Sequence, residues 1–325
     1  MKKKAFILIG IIVSASFLYL SIRKIDFSQV GNAFSSADYI WGIPTAVLIM
    51  FTMWLRALRW RHLLFKLKPI ENKSLFSSVM IGFMSNNILP GRLGEFVRAF
   101  SIAGKESVPK TAAFATIIIE RVFDSFAILL MLGICLILFP FPGAVKKVGY
   151  LTLAANIIVL LILYSLSKWP EKTTNIAAAI TRKFPRKIDV FVMNLFNRFR
   201  EGLGVFKDGA TVWKVSFYTA IIWFITAVSN YFIFIALGIY PPFISVFVVL
   251  VIVAFVVMLP ASPGFIGTFQ YGCTVALSLF GIPKEISFPF SIILWSCQYF
   301  PVTAIGLYYL RKESFSLKAF SAEKM

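Results

Sequence analysis

The sequence predicts an all-α polytopic integral membrane protein, and three observations carry that reading. Mean hydropathy is +0.83, 59% of the 325 residues are hydrophobic and 35 are Phe, well above the roughly one-half apolar share of soluble domains. Apolar runs long enough for roughly 30 Å of hydrocarbon recur along the chain. The formal charge of +19 sits in short segments between those runs. That is the pattern of loops facing an anionic leaflet, so nucleic acid is not an expected partner.

Taken in order, about six runs have spanning length: 5–22, 39–55, 111–138, 148–166, 214–237 and 288–310. The first, behind Lys2 to Lys4, resembles the start of a signal peptide, but no small-residue cleavage site precedes Arg23. It reads as a retained anchor. Residues 75–89 would reach only about 22 Å as a helix, and 91–103 less. Together they are expected to enter and return as a broken hairpin. A second such pair, 243–259 and 264–280, flanks LPASPG; if both hairpins cross instead, the spans number about eight.

Loop charge then orients the scheme. With a cytoplasmic N-terminus, two crossings leave Arg56, Arg59, Arg61, Lys66, Lys68 and Lys73 inside, and two more do the same for the basic linker 168–213. The C-terminal Arg311, Lys312 and Lys318 also fall inside, while Lys146, Lys147 and Lys284 are outside exceptions. Within the linker, Ile188, Phe191, Leu195 and Phe199 keep helical spacing beside Arg198 and Arg200, which predicts an interfacial helix or a small soluble helix packed on the protein. Phe27, Val30 and Phe34 predict a shorter counterpart outside. Cys135, Cys273 and Cys297 lie in apolar runs without disulfide or zinc spacing and read as packing residues.

A short motif recurs: Leu89-Pro90 with Gly94 and Phe96 returns as Leu259-Pro260 with Gly264, Gly267 and Phe269. The chain therefore reads as a single membrane domain, 1–325, with repeat halves 1–140 and 148–325. Three crossings per half turn the second copy upside down, as in many transporters whose broken helices meet near the midplane. Coincidence of two Pro-Gly turns is the alternative.

The chemistry concentrates in NNILPGRLGEFVRAF and IIIERVFDSF. These place Arg92, Glu95, Arg98, Glu120, Arg121 and Asp124 inside lipid-soluble sequence, with Glu120 and Asp124 on one helical face and Arg121 within reach of Asp124. Unpaired, six such groups would cost on the order of 15 kcal/mol. They are expected to pair with one another, either purely to pin the hairpin to the following span or to line a functional cavity. Asn86 and Asn87 at the break either satisfy freed backbone groups or contact a headgroup, and Gln270 and Gln298 are the polar groups of the second half. No Ser-His-Asp set, metal cluster or phosphate loop is visible, so neither a catalytic residue nor a metal or other cofactor is expected.

At these residues the sequence resembles the flippase-like membrane domain of the lysylphosphatidylglycerol synthase type. NNILPGRLGEFVRA, IIIERVFD and LPASPGFIGTFQ occur in that family's order, and the likeness covers nearly the whole chain. It implies a helical domain with re-entrant elements in a prokaryotic plasma membrane, moving a phospholipid or glycolipid between leaflets. Bifunctional members carry a soluble aminoacyl-transferase domain after the membrane part, which this sequence is expected to lack. Their second motif continues to a Glu, where Gln270 stands here. The expected headgroup contacts are Arg92 and Arg98 on a phosphate oxygen, with Glu95 and Glu120 holding them or meeting a cationic headgroup. A membrane subunit that presents lipid to a separate glycosyl- or aminoacyl-transferase is the alternative, and an intramembrane transferase a third.

Overall fold

Helices α1 (Lys2–Ile22), α2 (Phe27–Ser36), α3 (Gly42–Leu64), α4 (Asn72–Ile88), α5 (Gly94–Glu106) and α6 (Lys110–Leu138) make up the first half of the chain. After α7 (Pro170–Thr181) come α8 (Gly209–Ala236), α9 (Ile244–Val256), α10 (Thr268–Ser278) and α11 (Lys284–Lys312). This computed structural model describes residues 2–65, 67–141, 169–181, 208–259 and 261–313, with scattered positions at 143–161 and at 186, 189 and 193. Most of the expected span 148–166, most of the linker 168–213 with its amphipathic stretch, and Pro260 lie outside the described residues. Among those described, all regular structure is helical.

Four helices are long and apolar enough to cross a membrane: Tyr39–Leu64, which is α3 with a single 3-10 turn before it, α6, α8 and α11. The protein is a multi-pass membrane protein, and α1 follows the first expected span. Phe126, Leu130, Ile134 and Ile137 of α6 and Phe217 and Phe224 of α8 stand exposed, as lipid-facing side chains should. The short α2 is capped by Asp26, whose carboxylate accepts the Ser28 N–H at 2.9 Å, and buries Val30. Leu89 is extended, as the residue before a proline prefers, and ends α4.

Buried apolar side chains form two main clusters at opposite ends of the long helices. One gathers α3, α4, α5 and the first half of α6 around Trp60, Leu64, Met80 and Ile117. The other gathers α9, α10 and the second half of α6 around Cys135, Phe234, Val249 and Phe290. Helices α6, α8 and α11 contribute to both, so the short pairs α4–α5 and α9–α10 occupy opposite ends of the molecule with their breaks between. Each short pair is thus a hairpin of broken helices.

The two breaks share a backbone signature. Gly91 and Arg92 both take left-handed conformations (φ 79° and 53°), and so do Gly264 and Phe265 (φ 70° and 59°). Pro90 therefore corresponds to Pro263, three residues beyond the Leu259-Pro260 match read from sequence. In this register Gly94 pairs with Gly267, Phe96 with Phe269, and Glu95 with Thr268 rather than with Gln270. Arg92 and Phe265, equivalent by position, also touch: the guanidinium lies 5.2 Å from the ring centroid.

Close approach explains the second glycine of each motif. A Cβ on Gly94 would overlap the Gly82 carbonyl oxygen and the Asn86 side chain, and one on Gly267 the Ser14 carbonyl of α1. Gly94→Ala is expected to cost about 1–3 kcal/mol through overpacking, read as a lowered melting temperature of the purified protein. An unchanged melt would mean the hairpin is not packed this tightly. For orientation, Ser77 and Ser287 are buried, so the useful labelling positions are the exposed Ser35 and Ser107. Single cysteines there should react with an impermeant reagent from opposite sides, Ser107→Cys from the cytoplasm. Labelling from one side would contradict the loop-charge topology.

Candidate functional site

The site begins in α3, further along than its sequence shows. Arg56 and Arg59, expected in a cytoplasmic loop, lie inside α3 and are buried, Arg59 completely. The helix runs on to Leu64 because acids on α6 meet these charges. Arg59 Nη1 and Nη2 donate to Asp124 Oδ1 and Oδ2 at 2.7 and 3.3 Å, and Nη1 also donates to Thr219 Oγ1 at 2.9 Å. Trp223 Nε1 adds a hydrogen bond to Asp124 Oδ1 at 3.3 Å.

One helical turn away, Arg98 of α5 donates to Glu120 through both terminal nitrogens, at 2.6 and 3.3 Å. Its guanidinium lies 3.8 Å from the Trp60 ring centroid, and the indole N–H is held by Thr116 Oγ1 at 2.9 Å. Arg59 Nε, 3.7 Å from Glu120 Oε1, joins the two pairs. Charge-assisted bidentate bonds of this kind are strong and directional. They tie α5 to α6, and α6 to α3 and α8.

The other expected residues divide. Arg121, 3.5 Å from Asp124 and 3.9 Å from Glu95, belongs to the network at its partly exposed edge. Asn86 takes the backbone role: its Oδ1 accepts the Gly94 N–H at 2.7 Å, and its amide reaches Glu95 at 3.5 Å. Asn87 donates to Thr303 Oγ1 at 2.9 Å and so ties the break to α11. Arg92 stands apart from the acids, correcting the expectation that all six charges pair together. It is exposed and donates to the Val257 carbonyl at the C-terminus of α9, where a cation satisfies a carbonyl left over by the helix end.

Gln270 has a backbone role as well. It is 1% exposed and its Oε1 accepts the Gly267 N–H at 2.7 Å, so it caps the start of α10, the same service that Asn86 performs for α5. The resemblance read from sequence set Gln270 where the family's second motif carries a Glu.

Two cavities lie beside these groups. The first, of about 150 Å³, opens between the breaks and is lined by Asn86, Gly91, Arg92, Ala261, Ser262 and Phe265 among others. The second, of about 220 Å³, lies among α3, α4, α8 and α11, with Arg56, Asn87, Gln298 and Tyr299 in its wall. Phe265 borders both. Among the described residues no group of His, Cys, Asp or Glu could hold a metal ion.

Comparison with known proteins bears on the same residues. The pattern of the family described as "Lysylphosphatidylglycerol synthase TM region" matches residues 7–306. The chain belongs to this family. Among similar proteins, a UPF0104 membrane protein of Methanothermobacter thermautotrophicus is 22% identical over 325 residues, covering 94% of this chain and 95% of its own. UPF0104 membrane protein MJ1595 of Methanocaldococcus jannaschii is 22% identical, with 91% of each chain covered. "Glycosyltransferase AglD" of Haloferax volcanii is 24% identical over 311 residues, 85% of this chain but 49% of that protein. The chain thus spans about half the length of that relative. No solved structure matches.

For this TM-region protein, the network makes a specific stability prediction. Glu120→Gln leaves Arg98 and Arg59 short of a buried counter-charge and should cost about 3–5 kcal/mol. Neutralising Arg98 as well should recover part of that loss. Strictly additive losses in a double-mutant cycle would mean the two side chains are not coupled.

Proposed function

We propose that the protein is a lipid translocator that carries a lipid with a polar or charged headgroup between the leaflets of a prokaryotic plasma membrane, with both termini cytoplasmic. The observation that carries this reading is the meeting of two broken hairpins, tip to tip, beside charged groups within a helical membrane domain. Broken helices of that kind offer backbone and side-chain polar groups at a depth where lipid offers none. Membership in the family supports the membrane-lipid part of the reading.

Within it the roles separate by burial. Arg98, Glu120 and Asp124 are saturated by one another and Arg59, so they position the first hairpin. Arg92, Glu95 and Arg121 are partly or fully exposed around the break and are the groups a headgroup can reach, Arg92 by its fork on a phosphate oxygen. Asn86 and Asn87 hold the break in shape, and Gln298 offers an amide from the second half.

A second reading is favoured by one observation: the similarity to a protein named glycosyltransferase, over about half of that protein's length. In it the chain is a membrane subunit that presents lipid to a separate transferase. Purified protein in liposomes with a leaflet-resolved fluorescent phospholipid separates the two. Movement with no partner supports the translocator, and silence until a transferase is added supports the presenter. Under the translocator reading, Glu95→Gln should abolish movement while the melting temperature stays unchanged; full activity in the folded variant would remove Glu95 from the mechanism.

A further inference from the structure

The buried charges do not balance. Arg59 and Arg98 are each matched in bidentate fashion by Asp124 and Glu120, and at the edge Arg121 and Glu95 face each other. That leaves Arg56 as the excess cation, 9% exposed. Among the described residues the one acid within reach is Asp124, whose Oδ2 stands 3.8 Å from Nη1 and is already taken by Arg59 at 3.3 Å. Among the described residues Arg56 makes no hydrogen bond, and its Nε is buried without an acceptor. A largely buried guanidinium that donates no hydrogen bond is costly unless a counter-anion reaches it.

The surroundings say where that anion sits. Arg56 faces the cavity of about 220 Å³, packed on one side by the Phe83 ring at 5.3 Å from its centroid. Across the same cavity stand Asn87 and the Gln298 amide, the latter without a hydrogen-bond partner among the described residues. The Asn87 amide is already spent on Thr303 Oγ1 and the Tyr299 carbonyl, so the donors left facing this space of oxyanion size are the Gln298 amide and a guanidinium whose fork fits two oxygens of a phosphate group. Among the described residues no carboxylate lines the cavity.

We propose that Arg56, with Gln298, forms an internal binding site for a phosphate-type oxyanion, distinct from the cavity between the breaks. The proposal deepens the lipid reading: the site takes the phosphodiester of a headgroup after it has passed Phe265. Recognition itself needs only the oxyanion, which free phosphate also supplies. The role differs in kind from that of Arg59 and Arg98, which hold helices together.

The test uses purified full-length protein in an uncharged detergent, with melting temperature followed against inorganic phosphate and, separately, a short-chain soluble phosphatidylglycerol. Wild type should show a saturable rise. A response to the diester alone identifies a headgroup site, and a response to both identifies a general phosphate site; either supports the proposal, and a response to neither overturns it. Arg56→Gln should melt no lower than wild type without ligand, because it removes an unmatched charge, and should weaken half-saturation about tenfold or more. Arg56→Lys, which keeps the charge but not the fork, should fall between. If Arg56→Gln destabilises the protein as Arg59→Gln does, or leaves the titration unchanged, Arg56 belongs to the structural network and the site does not exist. Because the titration involves no movement between leaflets, a protein that binds through Arg56 yet moves no lipid would sink the translocator reading alone.

Discussion

Everything in this fold hangs on two buried arginine–carboxylate pairs, Arg59 with Asp124 and Arg98 with Glu120. Lipid supplies no hydrophobic force between helices, so packing and polar contacts must hold the bundle. The two acids sit four residues apart on α6 and reach in different directions, Asp124 towards α3 and α8, Glu120 towards α5. A hairpin of short helices is thereby fastened to the long ones. The pairs are also self-consistent: each guanidinium stacks on, or bonds to, a further neighbour, Trp60 for Arg98 and Thr219 for Arg59, so the desolvation cost of burying four charges is offset by more than Coulomb attraction.

The breaks depend on this anchorage. Consecutive left-handed residues at Gly91–Arg92 and Gly264–Phe265 strain a chain wherever the second residue has a Cβ, and surrounding structure must impose them. In the first hairpin that structure is the Arg98–Glu120 pair below and the Asn86 cap above. In the second it is α1, whose Ser14 hydroxyl accepts the Ser262 N–H at 2.7 Å and whose backbone lies against Gly267. Two breaks with the same backbone signature are therefore stabilised by different means, one electrostatic and from neighbouring helices α4 to α6, the other by packing from the N-terminal helix.

Much of the architecture was legible in the sequence because hydropathy and helix breakers act locally. The spans around α3, α6, α8 and α11, the two broken pairs and the interaction of Arg98, Glu120, Arg121 and Asp124 all follow from charge and Pro-Gly punctuation. The missing part was relational. Arg56 and Arg59 read as loop charges because a cationic run at the end of an apolar one usually is a loop; only Asp124, 65 positions away from Arg59, reveals them as interior. An arginine spacing of three on the last turns of a span, facing acids at spacing four on another, was the available signal. The repeat register failed for a similar reason: Leu-Pro pairs are common in apolar sequence, whereas the run Pro-Gly-x-(Leu or Ile)-Gly-x-Phe, at 90–96 and 263–269, carries the turn chemistry that a break requires.

That register changes what the asymmetry between halves means. Had Gln270 replaced a transport carboxylate, the second half would have lost an ionisable group. Instead its backbone cap occupies Gln270 fully, and the true counterpart of Glu95 is Thr268, a buried hydroxyl bonded to the Phe265 carbonyl at 3.0 Å. Charge in this site is thus concentrated in α3, α5 and α6 of the first half, and the second half answers with aromatic and amide groups: Phe265 against Arg92, and Gln298 across from Arg56. An anionic group entering between the breaks would leave Arg92 with nothing but aromatic and backbone partners behind it, and would find the next guanidinium past the Phe265 ring. A single aromatic side chain between two arginines, one exposed and one buried, sets the order in which they can be reached.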